Sequence, residues 1–248
     1  MVLLEKEIYD LKIYVRNREK LLAMFPQIGS NPRMQLFLGA ITDQKVMQDC
    51  LRDCPIIICA IGNNSFFPDT SLCESGRSIV AALQGLRERS NSWQRPRVIC
   101  LSSASRNERF AAARPPVVHW LIETAFQNAY NDLKLLHKAI LADPSLASVL
   151  LVQPGVLVEE PGSGYEISAE EVKVACSYED LGRAFVELAM ERSYDKLHDV
   201  GVSSSQGDNV LRYMPIIFGR IFAGLFASYV PGALQITNAL GWALSWVS

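Results

Sequence analysis

The chain has 248 residues, 49% of them hydrophobic, and a formal net charge of −2. A single α/β domain can reach this length, and the hydrophobic fraction is sufficient for a large core. Because the charge is near neutral and the lysines and arginines are scattered, a nucleic-acid partner is not expected. The six cysteines lack the paired spacing of a zinc site, which favours reduced thiols in a cytoplasmic protein without a bound metal.

Short apolar runs alternate with amphipathic segments along the whole chain. Taken in order, the predicted strands are 11–15, 34–38, 55–61, 97–101 and 148–152, and the predicted helices are 17–25, 43–52, 71–89, 117–141 and 178–191. Ser177 is predicted to cap the last helix, with Asp180 at its third position. This alternation predicts a Rossmann-like, doubly wound parallel sheet with helices on both faces, in one domain spanning 1–248.

The C-terminal region 213–248 carries a single charged residue, Arg220. We expect it to form an apolar helical extension, in which the dense run 216–226 packs on the domain or against a second subunit in a homodimer. The run between Arg220 and Pro231 is too short to span a bilayer, which needs about 20 apolar residues. A membrane-spanning helix is therefore not expected, and a helix lying on a membrane surface is the less favoured alternative.

Ligands of doubly wound sheets bind outside the carboxyl ends of the strands. Arg16 follows the first predicted strand, where a dinucleotide fold holds the adenosine ribose, and an arginine there favours NADP over NAD. Gly62 and Asn63 follow the third strand, where glycine permits close backbone approach and asparagine offers hydrogen bonds. The alternatives are a solvated surface arginine and an ordinary Gly-Asn turn.

The strongest catalytic pattern joins a serine-rich strand end to a later helix. Ser103 follows the fourth predicted strand, and Tyr130 and Lys134 lie one turn apart on one helix face. A nearby ammonium lowers the pKa of a tyrosine, and a serine hydroxyl can hold the substrate oxygen. The alternative is a core tyrosine beside a surface lysine. His119 lies near enough to the strand ends to reach a pocket, although a non-catalytic role is favoured.

With these residues in place, the chain resembles the NmrA-like, atypical short-chain dehydrogenases and, more narrowly, the averufin oxidase A family of fungal aromatic-polyketide pathways. The matching stretches are LKIYVRNREKLLAMFP, CLRDCPIIICAIGNN, LSSASRNERFAAARPPVVHWL, NAYNDLK, VQPGVLVEEPGSGYEIS and SYEDLGRAFVELAMER. The resemblance implies an NAD(P)-type Rossmann fold and an aromatic polyketide substrate. It places cofactor contacts on Arg16, Gly62, Asn63 and Pro154, and the catalytic set on Ser103, Tyr130 and Lys134.

The sequence departs from this family at its start. The family begins with a strand and a glycine-rich turn, whereas only ten residues without glycine precede Leu11 here. That turn normally binds the pyrophosphate through backbone N–H groups, so NADP binding is expected to be weak or absent. Strand 11–15 is then expected to pair directly with 55–61, the alternatives being that 1–4 fills the gap or that a second chain supplies a strand.

Three functions are consistent with these residues. The first is an NADP(H)-dependent oxidoreductase acting on an aromatic polyketide. The second is a cofactor-free cyclase, isomerase or dehydratase, in which Tyr130, Lys134 and His119 move protons. The third is a non-catalytic regulator of the NmrA-like kind. Dinucleotide titration separates the first from the other two.

Overall fold

The computed structural model describes residues 10–63, 65–112, 114–230 and 232–233. The strands within these residues are β1 (Leu11–Val15), β2 (Met34–Leu38), β3 (Ile56–Cys59), β4 (Arg97–Leu101), β5 (Ser148–Pro154), β6 (Val156–Val158), β7 (Tyr165–Ser168), β8 (Ala175–Ser177) and β9 (Asp199–Ser204). The α-helices are α1 (Arg18–Met24), α2 (Gln44–Leu51), α3 (Ser71–Glu88), α4 (Glu108–Ala111), α5 (Pro116–Ala125), α6 (Gln127–Ile140), α7 (Tyr178–Met190) and α8 (Val210–Tyr229).

The main sheet has the strand order β3-β4-β5-β9-β7. The first four strands are parallel, and β7 closes the edge antiparallel to β9. β1 pairs with β2 in a separate parallel ladder, and β6 pairs with β8. This is an α/β Rossmann-like fold with a mostly parallel sheet, as the alternation of apolar runs and amphipathic segments predicts.

Two apolar clusters cover the two faces of the main sheet. On one face, α3 and α6 pack together and bury Leu83 and Leu136. On the other, α7 packs Phe185 and Leu188 against the central strands. The helix α7 begins as predicted, because Ser177 Oγ accepts a hydrogen bond of 3.0 Å from the Asp180 backbone N–H. The sheet is therefore buried on both sides, which is why its strands are apolar runs rather than alternating ones.

The expected direct pairing of β1 with the strand at 55–61 is wrong. Within the described residues β1 forms a ladder with β2 alone. Helix packing holds this pair instead, because α2 packs against both β1 and α3. Lys12 Nζ donates to the Arg52 carbonyl at 2.6 Å, and the Tyr14 side chain packs against the core beneath α3. The alternative that 1–4 fills the gap lies outside the described residues.

The predicted single helix 117–141 is two helices, α5 and α6, that meet at Phe126. Phe126 has φ −109° and ψ 18°, which interrupts the regular helix. Its ring centroid lies 5.5 Å from that of Phe66 and 5.8 Å from that of Tyr130. α5 turns away to pack against α8, where a Cβ on Gly224 would come within 2.3 Å of the Ala125 carbonyl oxygen. Tertiary packing thus breaks a helix that the local sequence would continue.

The C-terminal helix α8 includes the predicted apolar run at 216–226. It packs on α5 of the same chain, which confirms one of the two packing modes expected for it. Part of its surface is exposed, including Phe222 and Leu211, and Trp120 is exposed on the neighbouring α5. By length and composition α8 could cross a membrane, which for one helix is weak evidence. The rest of the predicted extension, 234–248, lies outside the described residues.

Candidate functional site

The strand-end residues predicted from the sequence lie at the carboxyl ends of three strands of the main sheet and of β1, which belongs to the separate ladder. Arg16 follows β1 and is exposed, Gly62 and Asn63 follow β3, Ser103 follows β4, and Pro154 is the last residue of β5. β3, β4 and β5 are consecutive neighbours in the sheet, so their ends converge on one edge. This is the edge at which doubly wound sheets bind ligands.

Two buried polar atoms at this edge have no hydrogen-bond partner among the described residues. Asn63 accepts a hydrogen bond of 2.7 Å from the Ser65 backbone N–H, but its Nδ2 is buried and unpaired. Ser102 is 8% exposed, and its Oγ is also unpaired. A buried unpaired donor costs about 1–3 kcal/mol, so native structures rarely keep one without a purpose. These groups fit a polar ligand at the ends of β3 and β4.

Gly62 leaves space beside these atoms. A Cβ at this position would lie 3.5 Å from a Leu101 methyl carbon, which is an ordinary contact. The residue is exposed, so the protein itself does not require glycine here. The backbone is consequently open to approach by a ligand, as the sequence prediction requires.

Tyr130 lies on α6 and is directed at the turn that follows β4. Ser103 and Ser105 lie near its hydroxyl, and both lower its pKa as hydrogen-bonding groups. Its ring is flanked by Phe126, and the Arg106 guanidinium lies 5.8 Å from the ring centroid on an adjacent side. The structure therefore brings two of the predicted catalytic residues, Ser103 and Tyr130, into contact.

Opposing effects set the pKa of Tyr130. Burial is the largest and raises the pKa above its ordinary value of 10.0. Hydrogen bonds from Ser105 and Ser103 and the positive charge of Arg114 lower it, whereas the Glu123 carboxylate raises it. The net result is a raised pKa, so Tyr130 is a neutral phenol near pH 7 and carries the proton that a general acid donates.

Three charged residues near Tyr130 were not predicted from the sequence. Arg106 forms an ion pair of 2.7 Å with Glu123, which lies on α5. Arg114 Nη1 donates a hydrogen bond of 2.7 Å to Ser105 Oγ. Both arginines lie in the stretch after the serines, RNERFAAAR. The basic residues of this stretch are the sequence feature that could have indicated their role. Their convergence depends on the turn at Phe126, which local patterns do not indicate.

Lys134 is not brought to Tyr130 in the same way. Its side chain is exposed, and within the described residues it forms no hydrogen bond or ion pair. The intervening Asp132 is buried, and its carboxylate accepts hydrogen bonds of 2.9 Å from the backbone N–H groups of Leu72 and Cys73 at the start of α3. Asp132 thus anchors α6 to α3, and a role for Lys134 stays a prediction.

The histidines near this edge are partly buried. His119 Nδ1 and His137 Nε2 have no hydrogen-bond partner among the described residues. Burial, and secondarily the charge of Arg106, lower the pKa of His137 from 6.5 to about 4. His137 is therefore neutral near pH 7. No group of three or more potential metal-ligating side chains occurs in the part of the chain that the structure describes.

A separate cleft of about 530 Å³ lies along α7, away from the strand ends. Its polar feature is Glu187, whose carboxylate accepts hydrogen bonds from the hydroxyls of Tyr165 at 2.6 Å and Tyr194 at 2.7 Å. These bonds raise the pKa of both tyrosines to about 12. Because Glu187 is already paired twice, the cluster ties β7 and the segment after α7 to the helix.

The strand order and the polar groups at the strand ends are those of the Rossmann-like α/β class. A family model described as NAD(P)H-binding matches residues 2–192, and the chain belongs to this family. Oxidoreductase ordB of Dothistroma septosporum is 28% identical over 240 residues, covering 96% of this chain and 89% of the relative. Averufin oxidase A of Aspergillus flavus is 31% identical over 205 residues, covering 79% of this chain and 73% of the relative. The resemblance drawn from the sequence is thereby confirmed.

Solved structures support the same fold. A short-chain dehydrogenase/reductase from Veillonella parvula, determined in complex with NADP, superimposes with a TM-score of 0.58. The match covers 80% of this chain and 85% of the other at 16% sequence identity. At that identity the likeness concerns the fold alone.

Proposed function

We propose that this protein is an NADP(H)-linked oxidoreductase that reduces or oxidises a polycyclic aromatic polyketide in fungal secondary metabolism. The observation that carries the proposal is the Tyr130 hydroxyl, which lies near two serines that follow β4, in a fold whose strand ends also carry the unpaired Ser102 and Asn63. The relationship to averufin oxidase A supports the substrate class. The rings of Phe66 and Phe126 offer an apolar wall suited to a flat aromatic ligand.

Each residue has a distinct part in the proposed reaction. Tyr130, neutral near pH 7, donates its proton to the substrate carbonyl oxygen, and Ser103 orients that oxygen. Arg16, Gly62, Asn63 and Pro154 hold the dinucleotide along the strand ends, with Arg16 directed to a ribose phosphate. When bound, the nicotinamide supplies the hydride. Lys134, on the exposed side of α6, is proposed to contact the cofactor ribose.

We propose a modest affinity for the dinucleotide, with a Kd above about 100 μM. The residues described at the strand ends offer isolated donors such as Asn63 Nδ2 rather than a glycine-rich turn. Such a turn holds phosphates with several backbone N–H groups and a helix N-terminus, and these contribute much of the affinity in this fold.

The experiment that tests the function is a fluorescence titration with NADPH and NADH, followed by turnover of an averufin-type anthraquinone. We expect weak, saturable binding that favours NADPH and is reduced in Asn63→Ala. Asn209→Ala, which alters an asparagine at the start of α8, is the control and should bind as the unmodified protein does. Conversion of the anthraquinone with no dinucleotide present would instead support a cofactor-free enzyme.

A further inference from the structure

Arg114 is the guanidinium connected to Tyr130 through a hydroxyl. Its Nη1 donates to Ser105 Oγ at 2.7 Å. Ser105 in turn lies near the Tyr130 hydroxyl and lowers the Tyr130 pKa. Within the described residues Arg114 has no carboxylate at ion-pair distance. Its positive charge is therefore not paired directly, and it acts on both the Tyr130 hydroxyl and the Glu123 carboxylate.

Other charged and titratable groups also face Tyr130. Arg106, from the turn after β4, lies over its ring, but Glu123 of α5 forms an ion pair with that guanidinium. His137 of α6 is neutral near pH 7, because its pKa is lowered to about 4. The Glu123 carboxylate opposes Arg114, because it raises the Tyr130 pKa. Arg114 is the positive charge near the phenol that lowers the Tyr130 pKa and has no ion pair among the described residues.

Lys134 differs from Arg114 in its exposure and in its hydrogen bonding. It is exposed, and within the described residues it contacts no hydrogen-bond partner. An exposed ammonium acts on a buried phenol through solvent, where screening is strong. Arg114 is half-buried, and burial lowers the pKa of its guanidinium, as expected for a charge partly removed from water.

We infer that Arg114, acting through Ser105, stabilises the Tyr130 phenolate during proton transfer and so has the charge-stabilising part that the sequence suggests for Lys134. The inference rests on the proposed function.

In the reduction direction, the substrate carbonyl carbon gains a hydride from the reduced dinucleotide. Its oxygen gains the Tyr130 proton, and the Tyr130 O–H bond breaks. The negative charge left on the phenolate is held by Ser103, Ser105 and Arg114 until solvent reprotonates it. Arg114 is a positioning residue, since it touches Tyr130 only through Ser105.

The test is a titration of Tyr130 in the protein without cofactor or substrate. Fluorotyrosine is incorporated, and the Tyr130 resonance in the ¹⁹F NMR spectrum is identified by its loss in Tyr130→Phe. We expect Arg114→Gln to raise the Tyr130 pKa by roughly one pH unit or more, the effect of removing one nearby opposite charge. Arg114→Lys should restore part of the shift, and Lys134→Gln should change the pKa less than Arg114→Gln does.

Arg183→Gln serves as the control, because Arg183 is a surface arginine on α7 paired with Glu179. It should leave the Tyr130 titration unchanged. An unchanged pKa in Arg114→Gln, or a larger shift in Lys134→Gln, would overturn the inference. If Arg114→Gln does not fold, the comparison of Arg114→Lys with Lys134→Gln decides the same question, since the lysine keeps the charge but not the Nη1 geometry.

Turnover separates this inference from the proposed function. If both hold, Arg114→Gln lowers kcat by up to about tenfold for each pH unit by which the Tyr130 pKa rises, with little change in KM. A rise in KM alone would assign Arg114 to substrate binding and contradict the inference. A shifted pKa in a protein that never uses a dinucleotide would uphold the inference about charge and reject the proposed function.

Discussion

The two ends of the proposed site differ in how many other described residues surround the key side chain. At the end of β4, Tyr130 is enclosed by two serines, and charged side chains lie on neighbouring segments. At the end of β1, Arg16 is exposed and forms no hydrogen bond or ion pair within the described residues. The proposed reacting end is therefore organised by the protein, whereas the proposed nucleotide end presents an exposed arginine that a ligand would have to order.

The largest expected effect comes from a substitution of Tyr130, at the β4 end of the proposed site. Tyr130→Phe removes one hydroxyl and leaves the ring packed on Phe126, so the fold should persist. Because a positioned acid contributes about 10²- to 10⁴-fold, kcat should fall by about 10²-fold or more. Steady-state kinetics provide the measurement. Tyr229→Phe, on the exposed end of α8, should retain full activity, and retention of activity by Tyr130→Phe would remove Tyr130 from the reaction.

A substitution of Asp132 tests what holds α6, the helix that carries Tyr130, in place. Asp132 is 3% exposed and accepts two backbone hydrogen bonds at the start of α3. Asp132→Ala leaves two buried N–H groups unpaired, so the free energy of unfolding should fall by about 3 kcal/mol. Urea denaturation measures the loss. Asn131→Ala, at the exposed neighbouring position, should change the stability by less than about 0.5 kcal/mol, and equal losses in both variants would contradict the assigned anchor.

A third test uses pH. The pKa of His137 is lowered from 6.5 in the unfolded chain to about 4 in the folded protein. The folded state therefore favours the neutral ring, so the associated stability is fully present above pH 6.5 and is lost as the pH falls towards 4. Comparing urea unfolding at pH 7 and pH 4.5, we expect His137→Gln to lose about 2–3 kcal/mol less than the unmodified protein. Equal losses would place a charged imidazole in the fold.

The smallest expected effect comes from a substitution of Arg16, at the β1 end of the proposed site. Arg16→Gln removes a charge proposed to contact the ribose phosphate, so the preference for NADPH over NADH should fall by about five- to tenfold, with NADH binding unchanged. Parallel fluorescence titrations with both dinucleotides measure the ratio. Arg18→Gln, two residues further on, is the matched control. An equal loss for both dinucleotides would show that Arg16 does not distinguish them.

The sequence supports much of the fold because its strands are apolar runs with clear limits. Strands 11–15, 34–38 and 97–101 agree with β1, β2 and β4, and the cap at Ser177 is where the pattern places it. The short strands β6 to β8 carry little periodic signal, and β7 reverses direction through contacts distant in sequence. The pairing of β1 failed as a prediction because helix packing, rather than a backbone ladder, joins it to the core.

The candidate site likewise contains some residues that the sequence could predict and others that it could not. Ser103 and Tyr130 could be predicted, because the carboxyl ends of parallel strands and the following helix meet in this fold. Arg114 and Glu123 could not be predicted, because both approach Tyr130 only after the chain breaks at Phe126 and α5 turns towards α8. Lys134 satisfied the helical spacing and yet lies exposed, since Asp132 fixes which face of α6 is buried.

The most direct test of the central claim follows the hydride. The protein is incubated with an averufin-type anthraquinone and NADPH carrying deuterium at the nicotinamide C4 position, and the product is examined by mass spectrometry. The proposed function predicts that one deuterium is transferred to carbon in each product molecule, with transfer strongly slowed in Tyr130→Phe. A product formed equally fast without NADPH, or one that contains no deuterium, would contradict it.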